Sequence, residues 1–244
     1  MDLSLIAALT IVSFFSAGIS GFVGIAGGVL LLGAMLSLGV DLKVAVPVHA
    51  IVQLVSTNAR TVVLLPYVRW RAFIVLAICA APGPLLGLRL FGLVDAAWLK
   101  VIIAVLILWL AWVPRFGLGR LPEPVAFAIA GALGGSLGVV LGAIGILLGP
   151  FFLRPTWDKL EVIATQALCL AYLHVLKIVG FASIGFDFGG QLTLIIPLLI
   201  TTIAGTWIGT RLLHKASDKS FVIVYKLVLS ALAGEMLVSV LLGR

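Results

Sequence analysis

Charge is scarce in this chain. Only 10% of its 244 residues are Asp, Glu, Lys or Arg, with nine acidic residues against sixteen basic ones. There are three histidines and two cysteines. With 63% hydrophobic residues and a mean hydropathy of +1.31, too little polar surface is left to clothe an ordinary soluble domain. Cys79 and Cys169 each sit alone in an apolar run, which excludes a disulfide framework and a cysteine metal motif. Neither a His-rich nor a carboxylate-rich cluster is present, so no metal and no cofactor is expected. No linker or low-complexity tract is long enough to separate a second domain. The Met1-Asp-Leu-Ser4 start has no basic n-region of a signal peptide, so the first apolar segment is expected to stay in the mature protein.

What is abundant is long apolar sequence. Such runs cover roughly 4–39, 45–66, 72–92, 97–113, 121–153, 162–184, 191–212 and 220–242, and about 20 apolar residues suffice to cross a bilayer. The expected fold is an all-α polytopic membrane bundle, a single domain over 1–244 surrounded by lipid. Residues 4–39 and 121–153 are too long for one crossing, since each would reach ~50 Å as a straight helix against a ~30 Å core. Both carry glycine clusters, Gly18/Gly21/Gly24/Gly27/Gly28 and Gly134/Gly135/Gly138/Gly142/Gly145. Dense glycine fits either close helix packing through small faces or a hairpin of two shorter helices. Irregular backbone at the tip of a hairpin must then be buried in protein or line a cavity.

An internal repeat favours the hairpin. At an offset of 117, Gly18, Gly21 and Gly28 match Gly135, Gly138 and Gly145, and Ala50, Thr57 and Arg60 match Ala167, His174 and Lys177. Further on, Gly83-Pro-Leu-Leu-Gly87-Leu-Arg89 matches Gly205-Thr-Trp-Ile-Gly209-Thr-Arg211 at an offset of 122. The halves are about 1–117 and 118–244, each a broken hairpin followed by three spans. If the hairpins make no net crossing, the repeats are inverted. One set of loops then holds Arg69, Arg71, Arg115, Arg120, Arg154, Lys159, Arg211, Lys215 and Lys219, and the other Lys43, Arg89, Lys100 and Arg244. Nine against four makes the first set cytoplasmic, with both termini outside. Parallel repeats give a weaker eight against five. The net charge of +7 is thus largely a topology signal, and no nucleic acid is expected as a partner. Trp70, Trp98, Trp112 and Trp157 fall at span ends, where interfacial anchors sit. The pairs Gly83/Gly87 and Gly205/Gly209 suit close packing within one protomer or, as a homodimer, between two.

Two spans carry cations in place of lipid-compatible residues. At 100° per residue, His49, Gln53, Ser56 and Arg60 share about 60° of one helix face, with Thr57 at its edge and Asn58 opposite. Gln166, His174 and Lys177 share about 80° of another, near Cys169. A charge at the bilayer centre costs about 2.5–3.5 kcal/mol even on the lenient scale, so it faces a cavity or a partner. Neither stripe offers a carboxylate to neutralise Arg60 or Lys177. The pair therefore points to a small anionic substrate. Gln53, Thr165, Gln166 and His49 are candidate hydrogen-bond donors to it, and the backbone at Gly27, Gly28 and Gly145 supplies free N–H groups at half-helix starts. His49 and His174 titrate near neutral pH and are candidates to couple protons, as is Glu235, the lone carboxylate well inside a span. The plainer reading of the Ser, Thr and His positions is polar glue between helices.

These residues resemble the TauE/SafE family of sulfite and organosulfonate exporters over nearly the whole chain. The resemblance rests on Gly21-Phe-Val-Gly24-Ile-Ala-Gly27-Gly28, on His49-Ala-Ile-Val-Gln53-Leu-Val-Ser56-Thr57-Asn58-Ala-Arg60, and on Tyr67-Val-Arg69-Trp70-Arg71. In the second half it rests on Ala164-Thr165-Gln166-Ala167, His174-Val-Leu-Lys177 and Phe181-Ala-Ser-Ile-Gly185-Phe186-Asp187-Phe188. Gly33 departs from the Pro of many relatives, and Glu235 matches no family pattern. The resemblance implies a multi-pass carrier of the bacterial inner membrane that moves small sulfur oxyanions outward, driven by the proton gradient. Secondary transport by alternating access is the leading expectation. A passive anion channel or an uptake permease is the alternative. An intramembrane enzyme fits poorly, because Ser56 and His49 have no acid on the same helix to orient the imidazole.

Overall fold

The computed structural model describes residues 2–23, 27–93 and 120–213, together with 97–98, 101–102, 104–105, 108, 230, 234, 237–238 and 240–241. Gly24, Lys100, Trp112, Arg115, Lys215, Lys219, Glu235 and Arg244 lie outside the described residues. The elements are α1 (Leu3–Val23), α2 (Gly27–Ser37), α3 (Leu42–Leu64), α4 (Trp70–Ala80), α5 (Gly83–Phe91), α6 (Glu123–Leu141), α7 (Gly145–Phe152), α8 (Lys159–Ser183) and α9 (Leu192–Leu213), with short 3-10 turns at Leu65–Tyr67 and Gly189–Gln191. Among the described residues, five helices (α1, α3, α6, α8 and α9) are long and apolar enough to cross a membrane, or six if the bent pair α4–α5 counts as one span.

Local chemistry sets where these helices start and stop. Asp41 caps α3 by accepting the Lys43 N–H at 2.7 Å. Asp158, one repeat further on, caps α8 in a reciprocal box with Glu161. After α2 the chain turns at Gly39 (φ 83), where the Gly39 and Val40 N–H groups donate to Leu36 and Met35. Gly185 (φ 85) ends α8 with the same pair of bonds, to Ala182 and Phe181.

Both overlong apolar runs are divided, the first between Val23 and Gly27 and the second between Leu141 and Gly145. In the second, Gly142 has φ 69 and ψ −52, and the Ala143 N–H donates to Leu141 O at 2.7 Å. That is a γ-turn of the strained hand, open to glycine because it has no Cβ. In the first, α2 doubles back on α1, so that a Cβ on Gly27 would lie 2.2 Å from Ser16 O. The run 72–92, expected as one span, is instead two helices bent by 52° between Ala80 and Gly83. Pro82 and Pro84 stand there, whereas the corresponding stretch of α9 has Ala204 and Thr206 and continues unbroken.

Packing crosses between the halves. α1 lies along α9, α6 along α4 and α5, and α3 along α8. The first two contacts are glycine-seated. A Cβ on Gly209 would fall 2.0 Å from Gly18 O, one on Gly205 2.2 Å from Phe14 O, and one on Gly83 2.3 Å from the Gly135 carbonyl carbon. Both Gly-xxx-Gly pairs therefore pack inside the chain, which removes the support they offered for a homodimer. Helix directions follow from who meets whom. Ser13 meets Thr202 and, further along both helices, Gly18 meets Gly209, so α1 and α9 run parallel. Leu76 meets Gly131 and Ala80 meets Gly135, so α4 and α6 run parallel too. His49 packs on His174, whereas Arg69, beyond the end of α3, meets Thr165 near the start of α8. These two helices are antiparallel.

Trp70 is exposed at the start of α4 as expected and Trp98 is exposed as well, but Trp157 is buried and stacks on Phe127 with ring centroids 5.4 Å apart. Its position at a span end is correct, while its surroundings are protein and not headgroups.

Candidate functional site

The polar stripe of α3 turns inward as a unit. His49, Gln53, Ser56, Thr57 and Arg60 are all buried, while Asn58 on the opposite side is exposed. Gln166, Cys169, His174 and Lys177 of α8 are buried as well. The α3–α8 contact brings the two stripes together, with the His49 and His174 rings edge to face at 6.0 Å between centroids.

Each cation reaches a backbone carbonyl at a hairpin. Arg60 Nη1 donates to Ser20 O at 3.1 Å, in the last turn of α1. Lys177 Nζ donates to Gly142 O at 2.5 Å, on the residue that caps α6. Helix C-termini carry partial negative charge, so both cations sit where the backbone favours them. Charge buried without such compensation would be prohibitive. The ion pairs recorded among the described residues are Arg69–Glu161 and Arg154–Glu123, and no described carboxylate pairs with Lys177.

A small, partly open cavity of about 20 Å³, measured as space open to a water's centre, lies beside these groups. Ser20, Gly28 and Val29 line it from the first hairpin, and Ala143, Ile144 and Gly145 from the second. α3 contributes His49, Gln53, Thr57 and Arg60, and α8 contributes Leu170 and His174. That volume holds about one water, so a ligand with several oxygens enters only if the walls move apart.

Gly28 is what lets the polar stripe touch the hairpin. A Cβ there would meet the Gln53 side-chain amide at 3.3 Å and His49 Nε2 at 3.4 Å. His49 Nε2 donates instead to the Gly28 carbonyl at 2.7 Å. Of the residues expected at the site, Arg60, His49, Gln53, His174, Gly28 and Gly145 meet in the cavity wall. Lys177 is held one residue from that wall, on Gly142. Gly27 packs behind it against Ser16 and Ser20. Gln166 is buried with its Nε2 unpartnered among the described residues. Thr165 lies elsewhere, accepting the Arg69 N–H at 2.9 Å and joining the halves beside the Arg69–Glu161 pair. Ser20 and Thr57 were not among the expected site residues. The spacing of Ser13, Ser16 and Ser20 along one face of α1 was the available signal for Ser20.

The family model described as sulfite exporter TauE/SafE matches residues 9–236. The chain belongs to the TauE/SafE family. A TauE/SafE protein is a membrane transporter and not an enzyme, and the helices long enough to span are those of a multi-pass TauE/SafE chain. Neither the curated proteins nor the solved structures give a match.

Proposed function

We propose that this protein is a secondary transporter that carries a small sulfur oxyanion, such as sulfite or a short organosulfonate, out across the bacterial inner membrane. One observation carries the reading: Arg60 and Lys177 are held on backbone carbonyls of the two hairpins, one cation from each half, beside one small cavity. Two fixed cations in a water-poor site are worth far more to an anion than the same charges in water. Gln53, Gln166, His49 and His174 supply hydrogen bonds, and the α2 and α7 starts at Gly27, Gly28 and Gly145 add backbone N–H groups. Sulfite and sulfonate enter through the family, whose description names sulfite export.

Alternating access is the mechanism that the architecture supports. Corresponding helices α3 and α8 run antiparallel, as inverted repeats require, and the reciprocal contacts α1–α9 and α6–α4/α5 fit a two-fold relation between the halves. Discontinuous helices meeting at a repeat interface are a recurrent transporter design. His49 and His174 are the candidates to couple protons, with Glu235 as a third.

Proteoliposomes loaded with sulfite or a short sulfonate test this reading. A double Arg60→Leu, Lys177→Leu variant that elutes as a folded monodisperse protein should lose most of the flux. Wild-type flux in that variant removes the two cations from the mechanism. An imposed pH step should drive accumulation against the substrate gradient, whereas a pore would only equilibrate it.

A further inference from the structure

Arg69 is tied twice to the opposite half. Its backbone N–H donates to Thr165 Oγ1 at 2.9 Å, and its guanidinium pairs with Glu161 Oε1 at 2.5 Å. Both acceptors belong to the first two turns of α8, and Arg69 stands immediately before α4. The links therefore cross one end of the α3–α8 seam. The two polar stripes begin directly behind them. Arg60 is four residues from that end of α3, about 6 Å along the axis, and Gln166 follows Thr165 with its amide buried.

The repeat shows what the other end lacks. Because α3 and α8 run antiparallel, the start of α3 lies there. At the offset of 117 that aligns the stripes, Glu161 corresponds to Val44 and Thr165 to Val48. At the offset of 122, Arg69 corresponds to Gln191, the residue before α9. A valine side chain accepts no hydrogen bond, so neither link has a counterpart at the far end. Val48 is buried and Val44 packs partly buried against the core. One end of the seam is thus fastened by polar contacts and the other is apolar at the related positions. The polar fastening is weak by design of its surroundings. The Arg69 side chain is 47% exposed, and water and salt screen such a pair. That suits a contact made and broken in every cycle.

We infer that Arg69, Glu161 and Thr165 form a releasable lock that holds the two halves together at this end of the seam and parts when the end opens. This rests on the transporter reading above and gives alternating access a named latch on one side only. Glu161 also has a local duty, since its Oε2 accepts the Asp158 N–H at 3.0 Å in the α8 capping box. Glu161→Gln separates the two roles. Glutamine still accepts that N–H, because a capping box works with either residue, but it carries no charge for Arg69. Thr165→Val removes the acceptor of the Arg69 N–H at nearly constant shape.

Spin labels on Arg71→Cys and Leu160→Cys, both exposed beside the lock, report its opening by pulsed electron resonance in nanodiscs. Cys79 and Cys169 are replaced by alanine in that chain. One short distance should dominate at low salt. Glu161→Gln and Thr165→Val should each raise a longer-distance population about two- to fivefold relative to the short one. High salt should do the same to the unaltered lock and nothing further to Glu161→Gln, whose melting temperature should stay put because the cap survives. Hydrogen exchange of residues 65–71 in the chain with native cysteines should speed up in parallel. Distances and exchange left unchanged by both variants overturn the lock, as does a salt response that persists in Glu161→Gln. No anion enters these measurements, so the lock is judged on them alone. Absence of flux in wild-type proteoliposomes is the separate result that removes the transporter reading.

Discussion

Gly142 lets α6 end and α7 begin within four residues, and its carbonyl is the one that Lys177 grips. Its φ of 69 with ψ −52 is closed to residues with a Cβ, and a Cβ there would also lie 2.5 Å from Leu32 Cδ2. Gly142→Ala therefore combines backbone strain with overpacking, for about 2–4 kcal/mol. Gly39 provides the contrast, since it has φ 83 but nothing within 4 Å of a Cβ. Gly39→Ala should cost about 1–2 kcal/mol, from conformation alone. Thermal unfolding in detergent should rank wild type above Gly39→Ala and Gly39→Ala above Gly142→Ala. Equal melting temperatures for the two variants would mean that the tip can rearrange and that its carbonyl is not held in place for Lys177.

Two interfaces related by the repeat differ in chemistry. Where α9 meets α1 and α3, the contact is hydroxylic. Ser13 Oγ lies 2.7 Å from Thr202 Oγ1 and donates to Leu198 O, and Ser56 Oγ lies 3.1 Å from Thr206 Oγ1. At the corresponding positions of the other interface stand Ala130, Ala80, Leu173 and Pro84. Lipid gives helices no hydrophobic reason to associate, so an interhelical hydrogen bond counts, though modestly. A double-mutant cycle on Ser13→Ala and Thr202→Val, read by unfolding in detergent or bilayer, should give a coupling of about 0.6–1.7 kcal/mol. A coupling near zero would show that the hydroxyls act independently. Much at this scale was legible in the sequence. Glycine clusters marked the two overlong runs that the structure divides into α1 with α2 and α6 with α7. Apolar runs gave the described helices because composition and period act within one element, while the runs 97–113 and 220–242 lie largely outside the described residues. The 52° bend at Pro82 was passed over, although Pro82-Gly83-Pro84 is a strong breaker signal. The surroundings of Trp157 and the role of Thr165 depend on elements far away in sequence, which no local pattern encodes.

The same reason hid the pairing of the whole molecule. The repeat divides the chain near residue 117, yet the contacts seated on Gly83, Gly87, Gly205 and Gly209 cross between the halves: α1 rests on α9, and α6 rests on α4 and α5. The cavity is shared likewise, with four of its polar lining residues from α3 and one from α8. The sequence pointed to Arg60, Lys177 and His49 because a charge or imidazole in an apolar run stands out wherever it packs. It could not say that Gly205 would seat on Phe14 O and not on a second copy. Each half alone would therefore leave close-approach grooves with no backbone to fill them, and lipid chains fit such grooves poorly. Fragments 1–117 and 118–244, expressed separately, should be degraded or heterogeneous. Expressed together, with an affinity tag on one, they should copurify as a folded, monodisperse complex. Halves that purify singly as stable folded monomers, and fail to copurify, would mean that each repeat closes on itself and that the cross-half contacts do not hold the molecule together.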